Sequence, residues 1–278
     1  MTRPNPIVMI AATLLTAVLI VAIFGGFMTP HAPTDQDLLN RLKAPAFLGG
    51  PSEYLLGTDR IGRDMFARMV SGLRMSLFVA LAGTFIGAVV GTTIGFLAAH
   101  YRGWVEEVLM MLVDFQASLP FILIALTLLA FFGNSMTLFI ILMGLFGWET
   151  YARLARGVVL SASSQPYARA VVALGAHPGR LYMRHVLPNV ASALIVQVTL
   201  TFPQIILLET SLSFLGLGIQ PPNTSLGQIL GDGRDYLSTA WWISVWPGAL
   251  IFLITLSMSI LGDALRDRLD PMLKSRTT

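Results

Sequence analysis

Apolar residues gather along the chain into six blocks separated by polar stretches: Ile7 to Met28, Met75 to Ala99, Val105 to Phe132, Met136 to Val159, Val190 to Leu215 and Trp241 to Leu261. At about 1.5 Å of rise per residue, about twenty apolar residues cross a hydrocarbon core roughly 30 Å thick, so the pattern predicts six membrane-spanning helices. The stretch from Thr29 to Arg74 holds five acidic residues, four prolines and the turn-rich Leu56-Gly57-Thr58-Asp59, and it is too polar to span. Its end, Arg63 to Arg74, is expected to form a short amphipathic helix. Met65, Phe66, Met69, Val70 and Leu73 fall there at helical spacings, with Arg63, Arg68 and Arg74 elsewhere on the surface. The first block outlasts a signal-peptide apolar region and ends in Phe-Met-Thr-Pro without an A-x-A cleavage pattern, so a retained anchor is expected. The chain then divides into an anchor and extracytoplasmic segment, residues 1–74, and a five-helix core, residues 75–278, with a cytoplasmic loop at 161–189.

Composition agrees with an all-α polytopic membrane protein. Of 278 residues, 55% are hydrophobic and 12% charged, against roughly 25% charged in a soluble domain. The net charge of +3 does not indicate nucleic acid, because the basic residues sit between apolar blocks and form no basic arm. They set topology instead. Six spans place both termini on one side, and segment 153–185 carries five arginines and no acid, while the tail has Arg266, Arg268, Lys274 and Arg276. Lys and Arg in short loops mark the cytoplasmic side, so both termini and the 153–185 segment are expected there, in a bacterial inner membrane.

The absence of cysteine excludes disulfides, thiolate metal sites and a Cys nucleophile. His31, His100, His177 and His185 form no ligand-like pattern. No G-x-x-x-x-G-K-[ST] is present to cradle the phosphates of ATP, and neither G-x-S-x-G nor H-E-x-x-H suggests an intramembrane hydrolase.

Gly83, Gly87, Gly91 and Gly95 recur every four residues and so line one stripe of the second span. Such stripes let a neighbouring backbone approach closely, and a helix lining a substrate path is also compatible with one. Glu106, Glu107, Asp114, Glu149 and Glu209 lie within or at the edges of spans, where a charge must face protein, water or an interface. Asp114 and Glu209 are the deepest, and they leave open a proton-coupled carrier or channel that uses them as relays. No inverted repeat or matched pair of broken helices supports that class. Pro120 interrupts the third span and Pro203 the fifth, which predicts kinks.

In Ser161 to Asn189, an Ala-rich segment from Tyr167 to Leu174 is broken by Gly175. His177-Pro178 starts a new turn, and Leu181 to Val186 gives a second short helix stopped by Pro188. Two short basic helices outside the membrane suit docking into a groove on a partner, and equally a plain topology-holding loop.

The run Tyr167-Ala168-Arg169-Ala170-Val171-Val172-Ala173-Leu174-Gly175, followed by His185-Val186-Leu187-Pro188-Asn189, resembles the "EAA" loop of ABC importer permeases. Arg169 replaces the usual Glu and Val171 the second Ala, so a salt-bridge role for that Glu does not transfer. Further segments resemble the C-type permease of dipeptide and oligopeptide importers. These are Leu56 to Asp64, Ser213 to Pro222, Ala240-Trp241-Trp242 with Trp246-Pro247-Gly248, and Gly262 to Asp267 with Leu269-Asp270-Pro271. The resemblance implies a type I ABC importer permease fold with six transmembrane helices. It also implies a sister permease, two cytoplasmic ATPase subunits that bind ATP and Mg, and an extracytoplasmic solute-binding protein. Within the loop it assigns ATPase coupling to Tyr167, Ala170, Gly175, His177, Pro178, Leu187 and Pro188. No cofactor or metal is expected on this chain, its other contact being membrane lipid.

Overall fold

The computed structural model describes residues 5–166, 184 and 186–269. Among these residues the secondary structure is helical apart from one isolated bridge, Thr58 to Asp64. Helix α1 spans Pro6–Phe24, with Asn5 accepting a hydrogen bond from the Ile7 amide and Pro6 in the first turn, where its missing N–H costs nothing. The extended chain that follows leads to α2, Met65–Tyr101, started by Asp64, whose carboxylate accepts from the Phe66 amide. Next come α3 (Gly103–Ser118), α4 (Phe121–Phe132), α5 (Met136–Leu145) and α6 (Trp148–Ser164). Helices α7 (Leu187–Phe214), α8 (Leu226–Asp232) and α9 (Trp242–Leu269) complete the described chain.

Five segments are long and apolar enough to cross a membrane: α1 with its short extension to Phe27, α2, α5 with α6, α7 and α9. The bent pair α3–α4 passes the same test together and makes a sixth when counted as one span. The separate amphipathic helix expected at Arg63 to Arg74 does not exist. It forms the opening turns of α2, which runs 37 residues without a break, about 55 Å at helical rise. Nothing between Arg74 and Met75 stops a helix, and Gly72 is held by packing, since a Cβ there would lie 3.0–3.1 Å from backbone atoms of Ser225 and Leu226 in front of and within α8.

Pro120 does more than kink the third span. Leu119 is extended at φ −97° and ψ 134°, as the residue before a proline prefers, and α4 leaves α3 at 85°. Between α5 and α6 the chain turns at Phe146-Gly147, where Gly147 takes φ +78°, a left-handed value glycine adopts without a Cβ penalty. Pro203 and Pro247 stay inside α7 and α9.

Helix α2 is the axis of the bundle and contacts α5, α6, α7 and α8. The main core joins Leu73, Leu77 and Ala80 of α2 to Phe139 and Met143 of α5, Ile205 and Ile206 of α7, and Ile251 and Ile254 of α9. One end of the bundle, here the cap end, carries residues 28–64, the start of α2, α8 and the start of α9. At the opposite end, the loop end, α2 finishes, α6 leads out and α7 leads back in.

Candidate functional site

Along α2 the glycine stripe meets the backbone of α5 and α6. A Cβ on Gly83 would lie 3.1 Å from the Met143 carbonyl oxygen, and one on Gly87 would lie 3.0 Å from that of Gly144. On Gly91 and Gly95 it would collide with the carbonyl oxygens of Trp148 and Ala152. The four positions therefore form a seam in which two backbones occupy space that side chains would need.

At the loop end, Val186 is fully buried and packs with Val190 of α7, Ala99 of α2, and Val159 and Ala162 of α6, with Leu187 and Leu194 against the same cluster. The segment joining α6 to α7 thus returns to a shared apolar foot that touches three helices. Leu187 and Pro188 begin α7, Pro188 being exposed. Tyr167, Ala170, Gly175, His177 and Pro178 lie outside the described residues.

Three of the acids within the spans, Glu106, Asp114 and Glu209, are held in two ways. Arg156 of α6 pairs with Glu106 of α3, and one level deeper Arg153 pairs with Asp114 at 3.4 Å. Glu209 is completely buried in α7. The Ser76 hydroxyl of α2 donates to its Oε2 at 2.9 Å and the Ser213 hydroxyl to its Oε1 at 2.7 Å. Ser76 Oγ also accepts from the Leu226 amide at 3.2 Å, and Ser225, which caps α8, donates to Ser213. Glu209 is therefore the hub of a hydroxyl box that pins α2, α7 and α8 together, and Asp114 sits in an exposed ion pair rather than in the interior. Glu209 is thus enclosed within the bundle, whereas Asp114 is 69% exposed.

The cap end is built around Asp59. It accepts from the Ile61 and Arg63 amides at 3.0 and 2.9 Å and from Arg63 Nε at 2.7 Å. Arg68 of α2, only 1% exposed, donates to Asp59 Oδ2 at 2.7 Å and to Asp232 Oδ2 of α8 at 2.9 Å. Trp242 Nε1 donates to the Thr58 carbonyl at 3.1 Å, and Lys43 N to Thr58 Oγ1 at 2.8 Å. Gly57 at φ +84° and Gly62 at φ +82° close this loop, and a Cβ on Gly62 would strike the Asp37 carbonyl oxygen. Asp64, beside it, lies 3.6 Å from His31 Nδ1. Burial pushes its carboxyl above the usual carboxylate range, against the opposing hydrogen bond from Phe66 and the charge of His31. A cavity of about 450 Å³ opens next to the network, lined by Gln36, Arg63, Arg68, Asn223, Thr224 and Gln228.

Sequence reasoning placed Arg68 on a polar surface, whereas it is the buried centre of this network. Its presence in an apolar run one turn into a helix was a signal, but Asp232, 164 residues away, was not findable as its partner. Ser76, Ser213 and Ser225 gave no signal as partners of Glu209, since they lie in three separate segments of the chain.

Residues 91–275 match the family described as binding-protein-dependent transport system inner membrane components, and residues 3–45 match the N-terminal TM domain of oligopeptide transport permease C. The chain is 38% identical over 265 residues to the di/tripeptide transport system permease protein DppC of Pseudomonas aeruginosa, covering 94% of this chain and 88% of that one. It is 35% identical to the glutathione transport system permease protein GsiD of Pectobacterium atrosepticum, covering 96% and 88%. Among solved structures, an inward-facing MetNI methionine ABC transporter superposes with a TM-score of 0.59 at 19% identity, covering 73% of this chain and 96% of that one.

Proposed function

The chain belongs to the family of binding-protein-dependent transport system inner membrane components and is a permease subunit of an ABC importer, and from that premise we propose that it forms half of a translocation pathway for di- or oligopeptides. The observation that carries the substrate class is the match over 94% of the chain to a permease named for di- and tripeptides. The 3–45 match to an oligopeptide permease supports it independently. The glutathione permease at 35% identity is also named for a short peptide.

In this reading the sister half is a second permease. ATP and Mg bind two cytoplasmic ATPase subunits, and an extracytoplasmic binding protein delivers the solute. The chain itself catalyses no bond chemistry. Both termini and the loop end are cytoplasmic, and the cap end faces outward. The boundary expected at residue 74 falls inside the unbroken α2, so residues 1–64 act as anchor and outer segment and the moving core begins with α2 at Met65.

Force enters through the coupling residues Tyr167, Ala170, Gly175, His177, Pro178, Leu187 and Pro188. What supports this is the foot of the loop, where Val186 and Val190 share one apolar cluster with Val159 and Ala99. A displacement of the loop by closing ATPases is passed to α6, α7 and the end of α2 together. The glycine seam at Gly83, Gly87, Gly91 and Gly95 keeps α2 and α5–α6 as one body during that motion. The permease is then a two-state element, and nucleotide binding to its partners is the ligand that prefers one state. The test is purification of the tagged chain from its native membrane. It should bring down a second permease and two ATPases. A lone chain that moves peptide unaided would contradict the reading.

A further inference from the structure

Three outward faces of the membrane-spanning helices differ in chemistry. The exposed stripe of α2 is Phe78, Leu81, Phe85 and Val89, and that of α9 is Val245, Phe252 and Leu256. Both are what hydrocarbon requires. The exposed stripe of α6, at the same helical spacing, is Arg153, Gly157, Ser161 and Ser164, with no apolar side chain. Opposite its upper end stands Asp114 of α3, paired to Arg153 at 3.4 Å, with the two side chains 48% (Arg153) and 69% (Asp114) exposed.

Depth makes this face informative. Arg153 lies eleven residues before the end of α6 and Asp114 eleven residues after the start of α3, each about 16 Å of helix from the loop end. Arg153, expected on the cytoplasmic side with the rest of segment 153–185, instead lies inside the Met136–Ser164 span, and Asp114 lies inside the α3–α4 pair. A charged side chain at membrane depth costs at least about 2.5–3.5 kcal/mol against lipid, so both groups must face water or protein. The Arg156–Glu106 pair nearer the loop end is less exposed, so exposure grows along the two helices away from the loop end, into the span, where lipid would oppose it.

Resting on the peptide-importer reading above, we propose that the α6 face of Arg153, Gly157 and Ser161, with Asp114 of α3, is this chain's wall of the water-filled passage, and that the Arg153–Asp114 pair contacts the carboxylate and ammonium groups of the passing zwitterionic peptide. The two charges complement the two ends of such a solute, and the small polar residues leave room for it and its water. A loose pair can exchange its internal contact for a solute group and reform behind it, which gives passage without a tight site.

The chain has no cysteine, and a Cβ on Gly157 meets nothing within 4 Å, so a single cysteine at 157 fits. In the complete complex in nanodiscs, Gly157→Cys should react with a charged methanethiosulfonate at least tenfold faster than Phe85→Cys, and the rate should change when the ATPases are trapped with vanadate. Rates equal to that of Phe85→Cys, or no reaction in any state, would overturn the passage assignment. Arg153→Glu should lower uptake of acidic relative to basic dipeptides at least tenfold when loaded binding protein is saturating. An equal fall for both overturns the charge contact. If the wild-type complex moves no peptide with ATP, the peptide reading fails, and the labelling result still decides where this face points.

Discussion

The guanidinium of Arg68 donates to Asp232 Oδ2 at 2.9 Å, joining α2 to α8 across 164 residues of chain. Its other arm reaches Asp59 at 2.7 Å, so one buried cation ties the 28–64 segment, the axial helix and the short helix at the cap end. Removing one partner of a buried ion pair leaves an uncompensated charge and costs about 3–5 kcal/mol. Asp59→Ala should therefore lower the thermal midpoint of the purified complex sharply. Arg63→Gln, at a side chain 17% exposed whose removal leaves Arg68 with both carboxylates, should lower it much less. Equal losses would mean that the network is not organised around Arg68.

Glu209 separates an anchoring role from a proton relay. Serine hydroxyls both donate and accept, so Glu209→Gln can keep a hydrogen-bonded box with Ser76 and Ser213. Glu209→Leu strands buried hydroxyls, at about 1–3 kcal/mol each. ATP-driven uptake by the Gln variant should stay within a few-fold of wild type while the Leu variant assembles poorly. Loss of uptake in a fully assembled Gln variant would return the relay to consideration.

The seam prediction compares two glycines. At Gly91 even a methyl collides with the Trp148 carbonyl and lies 2.6 Å from Tyr151 Cβ, whereas at Gly248 it meets only Leu230 Cδ1 at 3.5 Å. Gly91→Ala should cost about 1–3 kcal/mol by overpacking. Gly248→Ala should be neutral or gain up to about 1 kcal/mol from helix propensity. The check is the yield and melting of the assembled complex, and a tolerated Gly91→Ala would remove the seam.

Much of this architecture was legible in the sequence because membrane helices announce themselves by length and composition. The Gly83-to-Gly95 stripe could be placed on one helix face, and Pro120 marked an interruption. What it could not provide was the size of the turn at Pro120. A proline deletes a hydrogen bond and biases Leu119, but the 85° angle depends on what α4 packs against. Asp114 and Glu209 looked alike as acids in apolar blocks, and only the fold separates an exposed ion pair from a buried hydroxyl box. Arg68 was misplaced because helical spacing alone puts it off the apolar stripe, while its true partners come from a loop and from a helix late in the chain.

Orientation is read by thiol labelling in intact cells, and burial selects the positions. Ser225 is fully buried as the cap of α8 and would report poorly, whereas Ser238 and Ser164 are exposed at opposite ends. Ser238→Cys should react with an impermeant maleimide added outside, and Ser164→Cys only after the membrane is opened. The reverse order would invert the topology.

The most direct test of the central claim is dipeptide uptake into proteoliposomes that hold the complete complex, with loaded binding protein on one side and ATP available to the ATPases on the other. Wild type should accumulate peptide only with ATP. Gly175→Asp, with both permeases still present by gel, should lose uptake and the stimulation of ATP hydrolysis by loaded binding protein together. ATP-independent uptake by this chain alone, or wild-type uptake and stimulation by Gly175→Asp, would contradict the account.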